Sequence, residues 1–147
     1  MKQRGINRVT MAVWDLDQGK EFYANLLGAE FESVNDADAE AFGLCCAIAW
    51  NAGVELVAPL EGRDSYVRTL LEKNGEGLVG VVFAVDDADT AKRAAEAADI
   101  PVFHALDYTQ AEIDEHLQGR FTKYKEYFLG KGGPLSSGVL IGEFEES

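Results

Sequence analysis

At 147 residues, with 47% hydrophobic and 27% charged side chains, the chain has the make-up of a soluble globular protein able to bury one good core. A formal net charge of −13 sets it against phosphate backbones and anionic lipid, so neither nucleic acid nor membrane is an expected partner. The longest apolar run, Leu78 to Val85, is far too short to cross a bilayer; the opening Met-Lys-Gln-Arg-Gly is no signal segment, and the expected location is cytoplasmic.

Ile6 to Val13 alternates, with Val9, Met11 and Val13 on one face and Arg8, Thr10 and Ala12 on the other, which predicts a strand with one apolar side. Asp15-Leu-Asp17 starts a helix that either aspartate can cap; Leu16, Phe22, Tyr23, Leu26 and Leu27 make its expected buried stripe, and Gly28 ends it. A strand over 29–35, a polar turn Asn35–Glu40, an apolar strand Phe42–Trp50, a tight turn Asn51-Ala-Gly53 and a strand Val54–Ala58 complete a β-α-β-β-β half. The only cysteines, Cys45 and Cys46, are neighbours in a strand and point to opposite faces, so they read as reduced core thiols and not as a disulfide or a zinc site.

Residues 59–77 form a linker with a short helix from Ser65 to Lys73. The pattern then restarts: a strand over 78–85, a helix from Asp87 to Ala98 and a strand Val102–Leu106. Thr109 and Glu112 have capping-box spacing and predict a helix over 109–118, an insertion relative to the first half. Strands Phe121–Leu129 and Gly138–Phe144 follow. The segment Arg8–Lys20 returns 72 residues later as Gly80–Lys92, with matches at Val9/Val81, Ala12/Ala84, Val13/Val85, Asp15/Asp87, Asp17/Asp89 and Lys20/Lys92. A repeat of half the chain length points to two copies of one supersecondary unit.

The run Val13-Trp-Asp-Leu-Asp-Gln-Gly-Lys-Glu-Phe-Tyr-Ala-Asn-Leu-Leu-Gly28, set in a doubled β-α-β-β-β pattern, resembles the vicinal oxygen chelate superfamily. That superfamily includes glyoxalase I, methylmalonyl-CoA epimerase, extradiol dioxygenases and bleomycin-resistance proteins. The stretch from Val54 to Asp89 is most similar to the epimerase branch. The resemblance implies an α+β fold, with two tandem βαβββ modules (1–58 and 78–147, joined by the linker helix segment 59–77) within one domain spanning 1–147. It further implies a curved eight-stranded cup around a central cavity, and a homodimer.

Carried over residue by residue, the family's metal-ligand positions fall on Arg8, Glu55, Gly80 and Gly142, and its paired histidines on Val79 and Gly80. Only Glu55 suits a divalent ion: arginine repels a cation and glycine offers no donor. The expectation is therefore no metal and no cofactor. Strand parity turns Arg8, Thr10, Glu55, Gly80 and Val82 toward the cavity, with the two glycines leaving open volume. Arg8 is expected to bind an anionic or carbonyl oxygen and Glu55 to accept a proton; a purely structural Arg8–Glu55 ion pair is the competing reading. His104, on a face shared with Val102 and Leu106, is a second candidate acid or base, whereas His116 is expected in solvent. Trp50, Tyr108 and Tyr124 are candidates for an aromatic ligand wall, the insertion at 107–121 for a lid, and Glu143 for a further ligand contact if a bulge turns it inward.

Three functions stay open. The first is metal-free binding of a small organic ligand, as in the bleomycin-resistance branch. The second is a metal-independent isomerase, epimerase or lyase using Glu55 for proton transfer beside a carbonyl. The third, a divalent-metal glyoxalase or dioxygenase, has the ligand count against it.

Overall fold

A computed structural model describes residues 1–34 and 37–147. The fold is mixed α+β, with eight strands and five helices among the described residues. It divides into two compact units, one of Arg8–Val79 and the other of Met1–Asn7 with Gly80–Ser147.

In the unit of Arg8–Val79 the strand order is β2 (Glu32–Ser33), β3 (Leu44–Ala49), β4 (Val54–Pro59) and β1 (Gln3–Ala12, from Arg8 onward), with β1 and β4 parallel. Helix α1 (Leu16–Leu27) starts at Asp15, whose carboxylate accepts from Gln18 N at 2.9 Å, and ends at Gly28 in the left-handed conformation. Its packing differs from the expected stripe. Leu16 and Tyr23 pack on Val13, Val54, Leu56 and Ala58, but Phe22 and Leu26 are 57% and 61% exposed and Leu27 is exposed too. The pivot is Gly19: a Cβ there would lie 3.1 Å from Val13 and 3.2 Å from Leu56, so the helix backbone rests directly on the strands. The contact stripe therefore runs Leu16-Gly19-Tyr23, and the larger apolar residues rotate outward.

Asn35 and Asp36 of the expected polar turn lie outside the described residues, and Ala37–Ala41 form a short helix, α2, in place of the rest of it. Among the described residues, the strand expected over 29–35 is confined to Glu32–Ser33. Helix α3 (Tyr66–Asn74) is capped by Ser65, whose hydroxyl accepts from Val67 N at 3.1 Å.

In the other unit, the first residues of β1 lie beside β5 (Gly77–Val85), followed by β8 (Val139–Glu146), β7 (Phe121–Leu129) and β6 (Val102–Asp107). Lys2 and Asp86 bind each other's backbone: Asp86 N donates to Lys2 O at 3.0 Å. Helix α4 (Ala88–Ala97) is capped by Asp87, and its Ala88 and Ala91 pack on Val85 and Tyr127. Helix α5 (Gln110–His116) carries the expected capping box, with Thr109 N donating to Glu112 at 3.0 Å and Glu112 N to the Thr109 hydroxyl at 3.2 Å. Both units thus repeat β-α-β-β-β, each with one inserted helix.

Candidate functional site

The densest polar cluster lies on the face of the first unit opposite α1. Strand β4 runs between β1 and β3, with Glu55 directly opposite Thr10 on one side and Ile48 on the other; Cys46, two residues from Ile48, shares that face. Glu55 Oε1 accepts from the Thr10 hydroxyl at 3.0 Å and from Arg8 Nε at 3.3 Å, and Oε2 accepts from the Cys46 thiol at 3.1 Å. Arg8 is 2% exposed and Glu55 14%, and the Arg8 guanidinium carbon lies 5.4 Å from the centre of the Trp50 ring.

Tyr66, the first residue of α3, joins this group electrostatically. Burial, then the Glu55 charge, then Cys46 push its hydroxyl up to about 12, so it stays a neutral donor throughout the physiological range. The expected residues Arg8, Thr10, Trp50 and Glu55 therefore come together. Cys46 and Tyr66 were not anticipated. Both cysteines are core thiols, as expected, on opposite faces of β3. Cys46 is buried, whereas Cys45 is partly buried on the α1 side, where it donates to Ala58 O at 3.6 Å and burial pushes its thiol up. The parity of β3 against Glu55 carried the signal for Cys46; that for Tyr66 depended on where α3 lands.

A second group occupies β6, β7 and β8 in the other unit, on the face away from α4. Tyr108 stacks on Tyr124 with ring centres 5.3 Å apart, and Phe144 lies 4.9 Å from Tyr124. Glu126, 1% exposed, accepts from the Tyr124 hydroxyl and stands opposite Gly142 and Leu106. Sequence reasoning passed over Glu126, although it shares the parity of Tyr124 and Phe128. His104 reaches this face for a reason the alternation did not show. A bulge between Val102 and His104 takes up one extra residue, so Val102 packs toward α4 while His104 meets Phe128 at 5.1 Å. The shared face expected for Val102 and His104 is thereby corrected.

Glu143 is turned the other way. It stands opposite Lys125 on the α4 side, accepting from Lys123 Nζ at 2.6 Å and from Ala88 N at 3.0 Å. It serves as a helix-end and lysine counterion, not as a neighbour of Tyr124, and the Lys123 ammonium is pushed up by that bond. The insertion is anchored on its own unit: Ile113 and Leu117 are buried, and His116, expected in solvent, is partly buried 6.2 Å from Tyr108.

The four positions where the resemblance expects metal ligands do not fit a divalent ion. Arg8 and Glu55 are bonded to each other. A Cβ on Gly80 would sit 2.7 Å from Gly138 O, so the backbone there admits no side chain. A Cβ on Gly142 would overlap the Phe144 ring, which corrects the expectation of open volume at that glycine. Among the described residues, no group of three or more His, Cys, Asp and Glu side chains is placed to hold a metal. None of the helices among the described residues is long and apolar enough to cross a membrane.

Comparison with known proteins agrees with this layout. Human methylmalonyl-CoA epimerase, a mitochondrial protein, is 32% identical over 87 residues, 58% of this chain and 49% of that one. The Bacillus subtilis (strain 168) protein YqjC is 30% identical over 78 residues, 53% and 55% of the two chains. The chain thus spans about half the length of the curated relatives it matches. Among solved structures, a variant of Streptomyces coelicolor methylmalonyl-CoA epimerase in complex with 2-nitronate-propionyl-CoA superposes with a TM-score of 0.71 at 20% identity, covering 96% of this chain and 97% of that one. Methylmalonyl-CoA epimerase from Mycobacterium tuberculosis gives 0.65 at 22% identity, with coverage of 97% and 88%. The family model of the glyoxalase/bleomycin resistance protein/dioxygenase superfamily matches residues 7–116, well over half of the sequence, and the chain belongs to that superfamily.

Proposed function

We propose that this protein binds a small organic ligand bearing a carbonyl or carboxylate oxygen on the face of Arg8, Thr10 and Glu55, without a bound metal. One observation carries the reading: a guanidinium 2% exposed to solvent, 3.3 Å from Glu55 and beside Trp50. Such a group supplies a fixed positive charge and paired N–H donors for an oxygen anion. Kinship with methylmalonyl-CoA epimerases makes acyl-CoA thioesters the first ligand class to test. Methylmalonyl-CoA is expected to raise the melting temperature of the wild-type protein and to leave Arg8→Met and Thr10→Val unchanged. Equal stabilisation of all three, each first shown to fold, refutes the assignment.

A second reading, proton transfer beside a carbonyl, is favoured by the way Glu55 is held. The carboxylate would take the proton from the carbon next to the carbonyl. The C–H electron pair would then form a carbon–carbon double bond while the carbonyl π pair moves onto its oxygen, where Arg8 faces the developing charge. Return of the proton to a different carbon would complete an isomerisation, and delivery of a proton to the opposite face of the same carbon an epimerisation. Incorporation of deuterium at C2 of methylmalonyl-CoA in D2O, abolished by Glu55→Gln, tests it.

A homodimer and a cytoplasmic location belong to the same proposal. The exposed Phe22 and Leu26 suit a second copy of the chain, and the thiols of Cys45 and Cys46, not joined in a disulfide, suit a reducing compartment. Sedimentation equilibrium checks the first and fractionation of the producing cell the second.

A further inference from the structure

The two oxygens of Glu55 are held unequally. Oε1 takes a hydroxyl from Thr10 at 3.0 Å and a charged N–H from Arg8 at 3.3 Å, both strong donors. Oε2 takes the Cys46 thiol at 3.1 Å, and a thiol is among the weakest donors a protein has. Strong donors draw charge from the oxygen they bind, so Oε1 is the poorer proton acceptor of the two. The sheet enforces this asymmetry. Thr10 approaches from β1, directly opposite Glu55, and Cys46 from β3, two residues along from Ile48.

From this we infer that Oε2 is the oxygen of Glu55 that takes the substrate proton, and that Cys46 is a positioning residue that holds it in place without quenching it. The inference rests on the proton-transfer reading above. Tyr66 fits the same arrangement, because its hydroxyl, pushed up by burial and by the Glu55 charge, keeps its proton at neutral pH and adds no second negative charge to the group. Cys46 is buried, with its thiol 3.1 Å from Oε2.

Two substitutions separate this role from simple packing. Cys46→Ser puts a strong O–H donor on Oε2, and Cys46→Ala puts none there. In the C2 deuterium-exchange assay with methylmalonyl-CoA, Cys46→Ser is expected to lose about tenfold in kcat with KM within about twofold, the equivalent of one charged hydrogen bond gained by the resting carboxylate. Cys46→Ala is expected to stay within about threefold of wild type, being a smaller perturbation of Oε2. A packing role predicts no such order. Cys46→Ser matching wild type, or the two variants falling together, overturns the inference.

The bond itself has a readout independent of turnover. In a Cys45→Ser background the single remaining S–H stretching band in the Raman spectrum is expected to shift on Glu55→Gln, and an unmoved band overturns the inference. Exchange that survives Glu55→Gln, or its absence from the wild type, instead overturns the proton-transfer reading and takes this one with it. Melting curves of each variant establish that it is folded.

Discussion

Replacing Gly142 by alanine tests whether that glycine is a vacated ligand position or a seat for an aromatic ring. A Cβ at 142 would overlap the Phe144 ring, which now rests against Tyr124 with centres 4.9 Å apart and Phe121 at 6.1 Å. To make room the ring must leave this cluster, and overpacking of this kind costs about 1–3 kcal/mol, within which fall aromatic contacts of roughly 0.5–1.5 kcal/mol each. Against this stands a gain of about 0.5–1 kcal/mol for removing a glycine from the middle of a strand. The cost wins, and Gly142→Ala is expected to destabilise by about 1–2 kcal/mol in urea unfolding, a fall in Tm of roughly 2–8 °C for a chain of this size. In a Phe144→Ala background the clash is gone and the strand gain remains. The same substitution then becomes stabilising by about 0.5–1 kcal/mol. A change of sign between backgrounds is the expected result of the double-mutant cycle. An equal effect in both backgrounds refutes the idea that Phe144 occupies the space of the missing side chain.

Three further outcomes follow from particular contacts. Thr10→Val removes the hydroxyl that donates to Glu55 Oε1 at 3.0 Å and should cost about 1.5–3 kcal/mol, the range for a hydrogen bond to a charged group, by urea denaturation. The bonds from Tyr127 and then Lys125 hold the Asp89 carboxyl below its ordinary value of 3.8. Its contribution is therefore present above pH 3.8 and lost as pH falls through the lowered value; Asp89→Asn should flatten the acid end of the stability profile, modestly, because the group is half exposed. Tyr66 behaves oppositely. With its hydroxyl raised from 10.0 to about 12, the folded state keeps a proton that the unfolded chain has lost, so stability drops as pH rises between those values, modestly, because the residue is half exposed. Tyr66→Phe should remove that drop, as read by urea denaturation across that pH range.

Much of the framework was legible because it is written locally. Asp15, Asp87 and the Thr109–Glu112 pair cap the helices they were expected to cap, and the 72-residue echo of Arg8–Lys20 corresponds to the two β-α-β-β-β units. Parity along β1 and β4 was enough to bring Arg8, Thr10 and Glu55 to one face. What escaped depends on longer-range contacts. The outward turn of Phe22 and Leu26 follows from Gly19 lying against Val13 and Leu56, which no helical periodicity reveals. One extra residue at Phe103 moves His104 to the face of Phe128, and a period-two reading has no means of placing such a bulge. The opposite faces of Cys45 and Cys46 and their core character follow from strand alternation, but the bond from the Cys46 thiol to Glu55 depends on how β3 pairs with β4. Glu143 was read as a candidate for the same face as Tyr124, but β8 pairs it with Lys125 on the side of α4.

The joining of Lys2 to Asp86 has a bearing on how the chain acquires its shape during synthesis. Residues 1–7 are made before 8–79 yet belong with 80–147, while the unit of 8–79 lies between. The middle piece has all its strand partners once residue 79 has emerged. Residues 1–7 must stay unengaged until β5 is available to receive them. Shortening or stiffening residues 1–7 should therefore injure the unit that includes 80–147, and leave the unit of 8–79 largely intact.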